Sequence, residues 1–88
     1  MTSEEVVEFL EEKLGKEAEE VLLVEGFDRA FVGVSLEPPR AIYSIELCLN
    51  TLTNQGLSDS AAEDQFWGDT ITFAEDCDNG PVFIHTII

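Results

Sequence analysis

Between Thr2 and Leu14 the apolar residues Val6, Val7, Phe9, Leu10 and Leu14 recur at a helical period of about 100° per residue and gather on one side. Glu4, Glu5, Glu8, Glu11 and Glu12 occupy the other. Thr2 followed by Glu5 matches a capping box, in which the hydroxyl accepts from an early helical N–H and the glutamate reaches back to the cap. Glu4 and Glu5 near the start and Lys13 near the end suit the helix dipole, and Gly15 supplies a stop. Glu17 to Glu20 extends this helix or makes a short second turn. The compact apolar run Val21-Leu22-Leu23-Val24, closed by Gly26, predicts a short buried strand.

The period then shortens. Ala30 to Leu36 is rich in β-forming residues, Pro38-Pro39 interrupts it, and Ala41-Ile42-Tyr43 resumes an extended pattern, which together predict a hairpin. Gly33 inside the first arm suggests a bulge or a close backbone approach. Ser44 caps a second helix carrying Ile45, Leu47, Cys48, Leu49 and Leu52 that ends near Asn54-Gln55-Gly56. Leu57-Ser58 reads as the staple and cap of a third helix with Ala61, Ala62, Phe66 and Trp67, ending at Gly68. Thr70 to Phe73 alternates like a strand, Glu75 to Gly80 reads as a turn, and Val82 to Ile88 is the clearest strand pattern in the chain. This order predicts a single α+β domain over residues 1–88, with three helices packed on one face of a small, mainly antiparallel sheet.

Composition agrees with one folded core. At 88 residues there is room for one hydrophobic centre, and 44% hydrophobic residues with six Phe and one Trp place the chain outside the disordered class. Charge changes the picture more. Nineteen acidic residues face four cations, Lys13, Lys16, Arg29 and Arg40, for a formal net charge of −15, so most carboxylates have no cation to pair with. Such a field repels nucleic acid and anionic membranes and favours a basic partner, within a Debye length of about 8 Å at physiological salt. The plainer reading is that the charge serves solubility alone.

Met1 to Glu12 is acidic and amphipathic rather than a basic start with an apolar run, so it reads as a helix and not as a signal peptide. The two cysteines are too few for a secreted disulfide framework. A cytoplasmic protein is the expectation.

Catalytic chemistry finds little support. His85 alternates with Phe83 and Ile87 on a predicted strand, where a half-buried sheet histidine is a better reading than a general base, because no nucleophile or orienting partner is identifiable. Cys48, Cys77 and His85 lack the clustering of a zinc site, and Cys48 reads as helix core. Glu75, Asp76, Asp78 and Asn79 crowd before Gly80, yet a calcium loop with Gly80 at its sixth position would carry Glu75, Cys77 and Thr86 where ligands of other kinds belong. A solvated turn is the better reading. With no phosphate-cradling loop, nucleophile elbow or distinguished carboxylate pair, the expectation is a protein that is not an enzyme and needs no cofactor or metal.

The acidic side of the first helix is more concrete. Glu4, Glu8 and Glu11 stack at intervals of about 6 and 4.5 Å from the helical rise, of the same order as phosphates along a strand, and Glu17, Glu19 and Glu20 continue the row. Phe66 and Trp67, adjacent on a helix, cannot both point inward along one direction. One of them is a candidate interface anchor, although packing of both around the helix end is the favoured reading.

The succession Gly26-Phe27-Asp28, Val32-Gly33-Val34, Pro39-Arg40-Ala41-Ile42-Tyr43, Gly56-Leu57-Ser58, Ala62, Phe66 and Pro81-Val82-Phe83-Ile84 resembles a group of short uncharacterised proteins of tailed phages and prophages. It departs from them at Trp67-Gly68-Asp69, where that group has an acidic residue, an aromatic and Asn, and in its longer acidic Glu75 to Asp78 stretch. The resemblance implies a phage setting, in which small acidic proteins inhibit host machinery, as anti-CRISPR and other anti-defence proteins do, some by mimicking DNA. Taken with the acidic surfaces read above, this setting leads to the expectation of an inhibitor that binds a basic host protein surface, with Glu4, Glu8, Glu11, Glu12, Glu75, Asp76, Asp78 and Trp67 as the partner-binding residues. The alternative from another class is an assembly module that self-associates, as a homodimer for example, through its sheet edge or the Phe66/Trp67 region. A third is a small metal- or ligand-binding regulator built around Glu75 to Asp78.

Overall fold

The computed structural model describes residues 2–36, 38–75 and 79–87. Helix α1 spans Ser3–Leu14 and opens as its capping box dictates: the Thr2 hydroxyl accepts from the Glu5 N–H at 3.2 Å, and Glu5 accepts from the Thr2 N–H at 3.0 Å. Those bonds hold the Glu5 carboxyl below its ordinary pKa. Gly15 ends the helix at φ 61°, a conformation an L side chain resists, while its N–H caps the Glu11 carbonyl. The chain tightens at once into a 3₁₀ segment, Gly15–Glu20.

Strands β1 (Phe31–Ser35) and β2 (Arg40–Ser44) form the predicted hairpin. The register slips between Phe31 and Gly33, so Val32 is the inserted residue of a bulge and stands 47% exposed. Ser44 leaves β2 directly into α2 (Ile45–Asn54), its hydroxyl accepting from the Leu47 N–H at 3.1 Å. Ser58 does the same for α3 (Asp59–Gln65), accepting from Ala61 at 3.2 Å. Strand β3 (Val82–Ile84) then joins β2 in parallel, giving the order β1-β2-β3.

The α+β architecture with helices against a three-stranded sheet is as the pattern predicts. Phe31, Tyr43 and Phe83 stand side by side on the covered face, where the register pairs Phe31 with Tyr43 and Tyr43 with Phe83. Their rings meet at 5.8 and 5.7 Å, with Phe9 of α1 at 5.7 Å from Phe31 and Phe66 at 5.3 Å from Phe83. This aromatic row, with Val6, Leu10, Ile45, Cys48, Leu52 and Ala62, is the core. Burial of that kind contributes about 1.5–3 kcal/mol per large apolar side chain.

Four local readings need correction. Val21 to Val24 is no strand: the Val24 N–H donates to the buried Tyr43 hydroxyl at 2.9 Å, so a side chain replaces the ladder partner a strand would need. The third helix does not stop at Gly68, and Thr70 to Phe73 is not a strand. A π-helical stretch, Phe66–Thr70, leads instead into α4, Ile71–Glu75. It closes with the Ile71 N–H on the Phe66 carbonyl, one residue wider than an α turn, so the inward series runs Ala62, Phe66, Ile71, Ala74. The extra residue turns Phe73, 52% exposed, away from the core. Finally, β3 ends at Ile84 rather than running to Ile88, because the Thr86 N–H binds the Glu46 carboxylate.

Candidate functional site

Helix α1 presents the predicted ladder. Glu4, Glu8, Glu11 and Glu12 are all exposed, and none takes part in an ion pair among the described residues. Lys13, the cation nearest in sequence, lies over the Phe9 ring at 5.9 Å from its centroid. Glu17, Glu19 and Glu20 are exposed on the 3₁₀ segment that follows. They continue the acidic row on a second element, not along one helix axis.

Val7 departs from its predicted role. Val6 and Leu10 are buried and Phe9 and Leu14 half-buried, as an apolar stripe requires, but Val7 is 41% exposed. It borders a groove of about 560 Å³ whose lining also includes Leu10, Glu11, Lys16, Ala18, Glu19 and Leu23. A shallower recess of about 310 Å³ lies on its other side, bounded by Ser3, Glu4 and Glu8. Sequence reasoning missed this groove because Ala18 and Leu23 belong to segments whose approach to α1 is a tertiary event. The available signal was the position of Val7 at the edge of the apolar stripe, about 40° from Glu11 on the helical wheel.

The remaining predicted partner-binding residues are dispersed. Trp67 sits in the π-helical stretch, 47% exposed, with its ring edge-on to Phe66 at 5.2 Å, whereas Phe66 is fully buried. The favoured reading that both pack around the helix end is therefore corrected: Phe66 belongs to the core and Trp67 is half-exposed against it. Glu75 is exposed at the end of α4, beside a recess shared with Arg40, Pro81 and Val82 and separate from the α1 groove. Asp76 and Asp78 lie outside the described residues.

A polar contact joins the segment after β3 to the start of α2 where none was predicted. His85 is not a half-buried strand residue: its side chain is 71% exposed, and Nδ1 donates to Glu46 Oε2 at 2.7 Å. Glu46 Oε1 accepts from the Thr86 N–H at 2.6 Å, and the Thr86 hydroxyl bonds Ser44 Oγ at 2.7 Å. The His85 and Thr86 hydrogen bonds hold the Glu46 carboxyl down at about 2. This clasp fastens the segment after β3 to the start of α2. No group of His, Cys, Asp and Glu side chains that could hold a metal ion occurs among the described residues. Cys48 is buried in α2 as predicted, and desolvation pushes its thiol up to about 12, so the thiolate is disfavoured at neutral pH.

No protein-family model matches the chain, and neither the curated proteins nor the solved structures contain a match to it. Among the described residues no helix is long and apolar enough to cross a membrane.

Proposed function

We propose that this protein is a phage-type accessory protein of the host cytoplasm that binds a basic surface on a host protein and blocks it, with a nucleic-acid-handling or defence complex as the natural target. The observation that carries the reading is the row of exposed carboxylates Glu4, Glu8, Glu11 and Glu12 on a helix opened by a capping box, none of them in an ion pair among the described residues. Carboxylates arrayed along one helix face are presented together to Lys and Arg, and a net charge of −15 steers the encounter. Trp67, half-exposed on an acidic helix that also displays Asp59, Glu63 and Asp64, supplies an aromatic anchor of the kind that dominates interface energetics. Binding, not catalysis, is the activity.

The test is partner capture from host lysate by the wild-type chain and by a variant with Glu4, Glu8, Glu11 and Glu12 all changed to Gln, at about 0.15 M and about 1 M salt. Raising the salt shortens the Debye length from about 8 to about 3 Å. Capture should fall at least tenfold on either change. A partner retained equally by both proteins at both salts would refute the reading.

A further inference from the structure

The groove beside Val7 says what kind of basic surface is met. Its floor and walls are aliphatic, from Val7, Leu10, Ala18 and Leu23, and its rim and the adjoining recess carry Glu4, Glu8, Glu11 and Glu19 against the single cation Lys16. A mimic of nucleic acid needs carboxylates alone and has no use for an apolar floor. At about 560 Å³ this open groove falls within the range of about 300 to 1,000 Å³ typical of small-molecule sites and has room for an aliphatic side chain. A second copy of the chain is a poor occupant, because each copy carries a net charge of −15 and its one pair of lysines around an aliphatic residue, Lys13 and Lys16 about Leu14, lies among Glu11, Glu12 and Glu17 and includes the groove's own Lys16.

We propose that this groove, between α1 and the 3₁₀ segment with Leu23, holds a basic amphipathic segment of a partner protein, seating an aliphatic side chain against Val7, Leu10 and Leu23 while flanking Lys or Arg residues meet Glu4, Glu8, Glu11 and Glu19. The proposal rests on the acidic-surface reading and narrows its partner class. The charged flanks are screened by salt and the apolar seat is not, so the two contributions separate by ionic strength.

Two synthetic peptides of about twelve residues and equal positive charge make the test: one with Leu at i and i+4 among lysines, the other with Ser in place of Leu. Binding is read by fluorescence anisotropy at about 0.15 M and about 1 M salt. The Leu peptide should bind at least tenfold more tightly, and that ratio should persist at high salt. Val7→Asn should remove the ratio, whereas Phe73→Ser, at another exposed apolar position, should leave it. In the unmodified protein, amide shift changes on titration should centre on Val7, Ala18 and Leu23. Equal affinity for the two peptides, or shift changes centred on α3 instead, overturns the groove and leaves the acidic-surface reading standing. Failure of both peptides to bind overturns both.

Discussion

Tyr43→Phe isolates one hydrogen bond that holds two distant parts of the fold together. Tyr43 is fully buried on β2, and its hydroxyl accepts from the Val24 N–H at 2.9 Å across 19 residues of sequence. Burial raises its pKa above the ordinary tyrosine value, the Val24 hydrogen bond opposing that shift, so the hydroxyl is neutral throughout the physiological range. Phenylalanine keeps the ring contacts with Phe31 and Phe83, and the substitution opens no cavity larger than an oxygen. What is lost is a neutral hydrogen bond, and the Val24 donor is left without its acceptor. A net hydrogen bond contributes about 1 kcal/mol and an orphaned donor costs about 1–3 kcal/mol when fully buried; with Val24 only half-buried, water recovers part of this, and about 1.5 kcal/mol is expected. For a domain of this size that lowers Tm by about 6 to 12 °C. Thermal unfolding followed by circular dichroism at pH 7 and fixed salt measures it, and the Val24 amide should lose its exchange protection while α2 amides change only with global stability. A Tm within about 1 °C of wild type, with Val24 protection intact, would show that the tether carries no energy.

Two further outcomes follow from named groups. The folded-state pKa of Glu46, about 2, lies below its unfolded value, so the stability it contributes is present above the ordinary carboxylate range and is lost as pH falls toward 2. Glu46→Gln should be less stable than wild type near pH 6, and the gap should close between about pH 4.5 and 2 in parallel acid-unfolding curves; a gap that stays constant with pH rules out the clasp as its source. Cys48, buried with its thiol raised to about 12, should react with a disulfide reagent only as fast as the protein unfolds. Rapid labelling of native protein in a Cys77→Ser background would contradict its burial.

The parts of the fold legible in the chain are those made by neighbours in sequence. Thr2 with Glu5, Ser44 with Leu47, and Ser58 with Ala61 are caps spanning three residues, and each forms as its spacing predicts. Gly15 and the Pro38-Pro39 turn are equally local, and so was the exposed acidic face of α1, because a helical period places its carboxylates regardless of what packs behind it. The misread parts all depend on distant partners. Val21 to Val24 has the composition of a strand, yet its amide is taken by Tyr43; Thr70 to Phe73 alternates like a strand, yet the register reset by the π turn keeps it helical. His85 finds Glu46 across 39 residues, which no spacing rule anticipates.

The candidate site divides along the same line. Its charge was determined by the sequence alone, since carboxylates this numerous must face solvent and cannot be paired by four cations. Its shape was decided only by tertiary structure. Folding brought Ala18 and Leu23 beside α1 and left Val7 at the seam between the core stripe and the acidic ladder, turning a charged helix face into a groove with an apolar floor. Periodicity records which side of an element is apolar; how far the neighbouring segments cover that side depends on contacts between residues far apart in the chain.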